Sequence, residues 1–354
     1  MADTSASDTT PAAKRRRVDG VDDSSPSATG PSEKYKDMWL EDGNVIIQCP
    51  QGAFRVHRSL LATQSEVFRD MFTLPIPESG AGDAVPTVQL SDDTDQMYMF
   101  LRCLILHEYP SKTAPSKQYM NQILDMLELS RKYVVPVMRT ACVNILKELF
   151  PDTLQGYQLT IQRRRDLVTF QASLRCVVVA TTYGLPTLLP SCYLYIAGEY
   201  YEEMMYLKKA STWPADIPLT YYATIVRSMT ALSHLKQEMI HDFSDDWRSK
   251  WEYGEHTGKH GHEFAGLLGY SLGPNNGGMP PTEDLILFDP NWTATDVVHE
   301  IGVDELCEEC IGRWDNAQRM AWMTAWRELP RYLSLDSWTA IHQRESQALS
   351  AATA

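Results

Sequence analysis

The sequence predicts an α+β fold, in which a small sheet capped by helices is followed by a mainly α-helical C-terminal region. Two observations support this prediction. Apolar residues alternate over residues 45–56, around a Pro-Gln-Gly reversal at 50–52, as they do in a β-hairpin. From residue 57 onwards the apolar spacing becomes that of helices. The 354 residues suffice for two domains and a tail, and the hydrophobic content of 44% supports real cores.

The predicted hairpin and the helices after it supply the candidate core. Alternation with polar neighbours places the apolar side chains of each strand on a common face. The helical spacing that follows is interrupted near residues 63–64, and Ser65 is predicted to be the N-cap of the second helix. The predicted core of this segment comprises Val45, Ile47, Phe54, Val56, His57, Leu60, Leu61, Phe68, Met71 and Phe72.

This segment resembles the start of a BTB/POZ domain. His57-Arg58-Ser59-Leu60-Leu61 is similar to the family's His-Lys/Arg-x-x-Leu step from the second strand into the first helix. Ser65-x-x-Phe68-x-x-Met71-Phe72 is similar to the family's next helix. The resemblance covers residues 35–150 and is most specific through Phe72. It implies a domain that binds other proteins, carries out no chemistry of its own and pairs as a homodimer.

The resemblance also implies a charged pocket at the subunit boundary of that dimer. Asp37 matches the acidic position of the family pattern, and Arg58 is the basic residue after the histidine. These two side chains are expected to line the pocket. The alternative is that His57 and Arg58 merely end a strand and face solvent.

The rest of the domain is predicted from breakers and helical stripes. Residues 79–86 form a breaker-rich loop, 87–90 a short strand, and Asp92 and Asp93 are candidate helix caps. Pro136 suits the first turn of a later helix. The stripe after the caps has the spacing of one buried helix face: Met97, Phe100, Leu101, Leu104 and Ile105.

The N-terminal tail, residues 1–34, is rich in small and polar residues and is predicted to be disordered. Within it, Lys14, Arg15, Arg16 and Arg17 resemble a monopartite nuclear localisation signal, which implies importin as a partner and a nuclear location, alone or together with the cytoplasm. The alternative is an ordinary solvated charge run. A second basic run, Arg163-Arg164-Arg165, is predicted to be the solvent face of a helix.

Residues 151–345 are predicted to form the helical C-terminal region, with a long loop near 254–282 and a strong helix near 304–328. Helices after a BTB domain are common in that superfamily. The helical region, together with Trp326-Arg-Glu-Leu-Pro330 and Trp338, resembles uncharacterised BTB proteins of mushroom-forming fungi.

Composition narrows the classes of partner. A formal net charge of −14 argues against direct nucleic-acid binding by the folded body, because neutralising phosphates needs clustered Lys and Arg. No run approaches the ~20 apolar residues of a membrane span, and the polar, acidic N-terminus predicts that no signal peptide is present. Seven scattered cysteines fit a reducing compartment better than a disulfide framework.

The pair Cys307 and Cys310 is the one CxxC motif. On a helix, three-residue spacing places both sulfurs on one face, so a zinc ligand pair is geometrically possible. The alternatives are two core cysteines or a redox pair. No catalytic residue and no cofactor are predicted, because no phosphate loop, nucleophile elbow, HExxH motif or kinase motif set is present.

These observations favour a non-enzymatic, homodimerising nuclear protein that acts through protein contacts in transcriptional or chromatin assembly, with a transcription cofactor as a candidate partner. The first alternative is a substrate adaptor of a cullin-type ubiquitin ligase, which would meet the cullin through residues around Met71 and Phe72 and through the helix that bears Phe100 and Leu101. The second is a zinc-dependent or redox protein that uses Cys307 and Cys310.

Overall fold

The computed structural model of the protein describes residues 33–74, 85–110, 116–200, 204, 213–252, 288 and 308–351. The N-terminal part contains a four-stranded mixed sheet with the order β1-β3-β2-β4. Its strands are β1 (Glu33–Trp39), β2 (Val45–Gln48), β3 (Gly52–Val56) and β4 (Thr87–Gln89). The predicted hairpin is the antiparallel pair β2–β3, and β1 and β4 flank it in parallel orientation. The predicted small sheet is therefore confirmed.

Strand β1 is an element that sequence patterning does not reveal. It begins at Glu33, two residues before the predicted start of the domain at residue 35. Its sequence, Glu-Lys-Tyr-Lys-Asp-Met-Trp, is mostly polar because the strand lies at the edge of the sheet. Met38 is its buried anchor, while the Tyr35 ring packs on Phe54 and Tyr98 at centroid distances of 5.0 and 4.9 Å.

Five helices complete the N-terminal part and bury one face of the sheet. They are α1 (Arg58–Gln64), α2 (Glu66–Met71), α3 (Thr94–Leu106), α4 (Tyr119–Lys132) and α5 (Pro136–Leu149). Ser65 caps α2 as predicted, because its hydroxyl accepts from the Phe68 amide at 3.1 Å. Asp93 caps α3, whereas Asp92 accepts from the side chains of Lys132 and Tyr133 and is not the cap.

The C-terminal part is mainly helical in the residues that the structure describes. Its helices are α6 (Leu154–Leu159), α7 (Ile161–Leu167), α8 (Phe170–Thr182), α9 (Leu189–Glu199), α10 (Thr220–Glu252), α11 (Glu308–Tyr332) and α12 (Trp338–Ala351), with a 3₁₀ turn at Pro186–Leu188. The predicted helical region is confirmed. Helix α11 continues through Pro330 to Tyr332, beyond the predicted end at residue 328.

The two parts share one hydrophobic core, which runs from Met38 to Leu333. Polar contacts reinforce their junction. Arg175 on α8 donates to Asp125 on α4 at 2.7 Å and to Glu128 at 3.4 Å. Lys147 on α5 forms an ion pair with the buried Glu345 on α12. The helical region is therefore packed onto the sheet-bearing part rather than tethered to it.

The second basic run corrects one sequence prediction. Its residues do lie on a helix, α7, but Arg164 is fully buried and does not face solvent. Its guanidinium donates to the carbonyls of Leu149 at 3.1 Å and Tyr157 at 2.8 Å, and it lies 3.8 Å from the centroid of the Tyr157 ring. A helix seven residues long with neighbours on several sides can bury an arginine that meets such acceptors.

Candidate protein-interaction surface

The outer edge of β1 is the most evident unfilled contact in the described sheet. One side of the strand pairs with β3, and within the described ranges no strand lies on its other side. An edge strand presents unpaired backbone N–H and C=O groups, which can accept a strand from another chain. The side chains of Lys34, Lys36 and Asp37 are exposed along this edge. Charged residues of this kind limit indiscriminate strand addition without preventing a specific one.

Asp37 belongs to a charged cluster that ties β1 to α3. Its Oδ2 atom accepts from the Tyr98 hydroxyl and from Arg102, the latter at 2.6 Å. Arg102 also pairs with Glu108. Hydrogen bonds to Tyr98 and Glu108 raise the pKa of the Arg102 guanidinium, so it remains a cation at any physiological pH. Because both carboxylates are about half exposed, the cluster can also face a second molecule.

Arg58 lies elsewhere on the surface and is held by the end of α2. Its guanidinium donates to the Phe72 carbonyl at 2.6 Å and lies 5.0 Å from the centroid of the Phe72 ring. Its backbone amide donates to Asn44 Oδ1 at 2.8 Å. Within one chain, the predicted pocket pair of Asp37 and Arg58 therefore has separate partners. A pocket shared across a subunit boundary stays a prediction.

Helix α1 corrects one predicted core residue. Leu60 is 40% exposed, whereas its neighbour Leu61 is completely buried. Successive helical residues point about 100° apart, so only one of the two leucines can face the core. The prediction that Leu60 belongs to the core is wrong, and its apolar side chain is instead part of the surface.

Most of the other predicted core positions are fully buried, but three are only half-buried. Val45, Ile47, Phe54, Val56 and Phe68 are at most 1% exposed. His57, Met71 and Phe72 are half-buried, and His57 Nε2 lies 3.3 Å from Asp42 Oδ1. They border the core rather than form it.

The surface suggested for a cullin comprises the end of α2 and one face of α3. Phe100 and Leu101 are fully buried on the inner face of α3, so a contact by this helix would use its outer side chains, such as the 44% exposed Leu106. Met71 and Phe72 keep part of their surface accessible. Cullin binding by this surface stays a prediction.

The remaining predicted sites lie largely outside the described residues. These include Lys14–Arg17, the loop near 254–282 and Cys307, while Cys310 is described only as a helical backbone position. Across the described ranges, no cluster of three or more His, Cys, Asp or Glu side chains could hold a metal ion. The same ranges contain no helix that is both long and apolar enough to span a bilayer.

The network at the α4–α8 junction is a feature that the sequence analysis misses. Burial raises the pKa of both Asp125 and Glu128, and the Arg175 cation opposes this shift. The sequence carries a weak signal for it, since Asp125 and Glu128 lie three residues apart on one face of α4. Nothing in the sequence, however, identifies Arg175 as their partner.

The open sheet edge, the exposed Leu60 and the half-exposed charged cluster are all accessible to another protein. Residues 38–149 match the family model of the BTB/POZ domain. The chain therefore carries a BTB/POZ domain, a module that binds other proteins, followed by a helical region. Comparison with curated proteins finds no match.

Proposed function

We propose that this protein homodimerises through β1 and α1 of its BTB/POZ domain and acts as a nuclear scaffold in transcriptional or chromatin assembly. The observation that carries the dimer is the open outer edge of β1 in the described sheet. The exposed Leu60 on α1 adds an apolar contact, and Asp37 and Arg58 supply charges. Specific interfaces usually bury apolar side chains at their centre when the partners associate, and place charged side chains at the rim.

Light scattering of the full-length protein at micromolar concentration tests the dimer. We expect a mass twice that of the 40.2 kDa chain. Leu60→Glu should shift the protein towards monomer, because the dimer interface would bury an unpaired carboxylate at a cost in free energy. Leu159→Glu on α6 is the matched control, since Leu159 is 78% exposed and lies in the helical region. A wild-type protein that is only monomeric at this concentration would contradict the proposal.

Nuclear entry through the basic run is the second part of the proposal. Four consecutive cations in an acidic chain are what the importin groove recognises in a monopartite signal. Replacing Lys14–Arg17 with alanine should move a fluorescent fusion from the nucleus to the cytoplasm. Replacing Arg15–Arg17 with lysine keeps the charge and should preserve nuclear location. Unchanged nuclear signal in the alanine variant would remove this part.

Affinity purification of the full-length protein from its own cells, followed by mass spectrometry, distinguishes the scaffold from its rivals. We expect transcription or chromatin factors without a cullin. Recovery of a cullin with its RING subunit would replace the scaffold by a ligase adaptor, with the helical region as substrate reader. Stoichiometric zinc in the purified protein, lost in a Cys307→Ser variant, would instead favour the metal protein.

A further inference from the structure

Phe288 is the one residue that the structure describes between Glu252 and Glu308, and its side chain is 1% exposed. Its ring packs edge-on against Trp326 of α11, with centroids 5.4 Å apart. Its carbonyl accepts from the Gln158 side chain of α6 at 3.2 Å. An isolated aromatic side chain thus reaches the helical region from a stretch of chain that is distant in sequence from both of these helices.

The side chains around Phe288 are aromatic, and hydrogen bonds hold two of them in place. Tyr157 and Trp326 lie 5.4 Å apart between centroids, and Trp338 of α12 stacks on Trp326 at 5.8 Å. Both indoles are fixed by hydrogen bonds, since Trp326 Nε1 donates to the Asp152 carbonyl and Trp338 Nε1 to the Trp326 carbonyl. Rings held in this way form a rigid apolar surface that costs little entropy when a ligand binds.

The backbone at Phe288 adopts an unusual conformation. Its φ of 72° is in the left-handed region, which a bulky residue seldom adopts. Such a conformation persists only when surrounding contacts enforce it. Here those contacts are the buried ring and the hydrogen bond from Gln158. One aromatic anchor and one backbone hydrogen bond is a pattern by which pockets hold short peptides.

We propose that Tyr157, Trp326 and Trp338 line a peptide-binding pocket, named here the aromatic pocket, and that Phe288 is its intramolecular ligand. The pocket lies in the helical region and is independent of the proposed BTB dimer. Its ligand class is a short peptide that presents one phenylalanine among apolar residues, as Leu285-Ile286-Leu287-Phe288 does. A partner segment with this chemistry would have to displace Phe288 in order to bind.

The test is a trans-binding experiment on the full-length protein. A fluorescent peptide of residues 282–294 is titrated with wild type and with Phe288→Ala, and anisotropy is measured. The variant should bind the peptide. Wild type should bind it at least about tenfold more weakly, because a tethered ligand competes at an effective concentration on the order of 1 mM. The same peptide with Phe288→Ala should not bind either protein.

Two controls keep the result interpretable. Leu159→Ala alters an exposed side chain on the helix that carries Tyr157, and it should bind like wild type. Phe288→Leu keeps the pocket filled by a smaller apolar group, so it guards against misfolding of the alanine variant and should give intermediate affinity. Equal peptide affinity in wild type and in both Phe288 variants overturns the proposal, as does absence of binding to either variant with a wild-type circular dichroism spectrum.

Discussion

Replacing Arg164 with alanine should destabilise the protein far more than replacing either neighbouring arginine. The three residues of this basic run look equivalent in the sequence, yet the structure separates them. Arg164 is fully buried, whereas Arg163 and Arg165 each keep about a third of their side chains exposed and pair with Glu148 and Glu199. The run therefore contains its own matched controls.

The magnitude follows from the contacts of the Arg164 guanidinium. It donates to the Leu149 carbonyl, the Tyr157 carbonyl and Thr160 Oγ1 at 3.1, 2.8 and 2.5 Å. A hydrogen bond to a charged group contributes about 1.5–3 kcal/mol, and burial of the cation costs several kcal/mol in return. Burial also lowers the pKa of Arg164, in keeping with that cost. Removal leaves two carbonyls without this donor, so we expect a net loss of about 3–5 kcal/mol.

The two controls should cost much less. The Arg165–Glu199 pair is short, at 2.7 Å, but partly solvated, and its loss should cost about 1 kcal/mol. The Arg163–Glu148 pair, at 3.8 Å, should contribute no more than about 0.5 kcal/mol.

Urea unfolding followed by far-UV circular dichroism measures all three variants, with free energies compared at a common slope. An Arg164→Ala protein within about 1 kcal/mol of Arg165→Ala would refute the reasoning, because the buried hydrogen bonds would then contribute nothing beyond a surface pair.

Three further predictions concern other buried polar groups. Arg175→Ala should cost about 2 kcal/mol in the same urea assay, because it leaves Asp125 and Glu128 without their cation at the α4–α8 junction; a neutral effect would show that the junction is apolar in origin. Ser65→Ala should cost about 1–2 kcal/mol, since the hydroxyl caps α2 and donates to the Tyr133 carbonyl at 2.5 Å, and an unchanged midpoint would contradict this. Cys49, Cys103 and Cys142 are at most 2% exposed, so at pH 8 a thiol reagent should label them only after unfolding, and rapid labelling of the native protein would contradict this. Burial also raises the pKa of Cys49 and Cys103 to about 11 and that of Cys142 to about 12, so their contribution to stability should fall as the pH rises above 9.

The elements that the sequence predicts well are those whose burial is periodic. Alternation at Val45 and Ile47 identifies β2, and the stripe that includes Met97 and Leu104 identifies α3, because one face of each element meets the core. Strand β1 has no such periodic apolar pattern. Its polar sequence reflects its position at the edge of the sheet, and Met38 is the one fully buried side chain among those described in it. The open edge on which the proposed dimer rests therefore lies in the segment with the weakest pattern.

The burial of polar residues is harder to predict from sequence, since it depends on acceptors supplied by distant parts of the chain. Nothing local distinguishes Arg164 from Arg163 and Arg165. The difference comes from Leu149 and Tyr157, whose carbonyls happen to face the middle arginine. The same holds for Leu60 and Leu61, which are both apolar, so that only the packing direction of α1 determines which one is buried.

Tyr157 lines the aromatic pocket and also contacts the buried Arg164. The Tyr157 ring lies 3.8 Å from the Arg164 guanidinium and 5.4 Å from Trp326. A cation held against one aromatic side chain fixes the position of its ring, and a fixed ring gives the pocket a constant shape for Phe288. The buried arginine therefore supports the pocket as well as the fold. The sequence hides this connection, because residues 157, 164, 288 and 326 are brought together only by the tertiary structure.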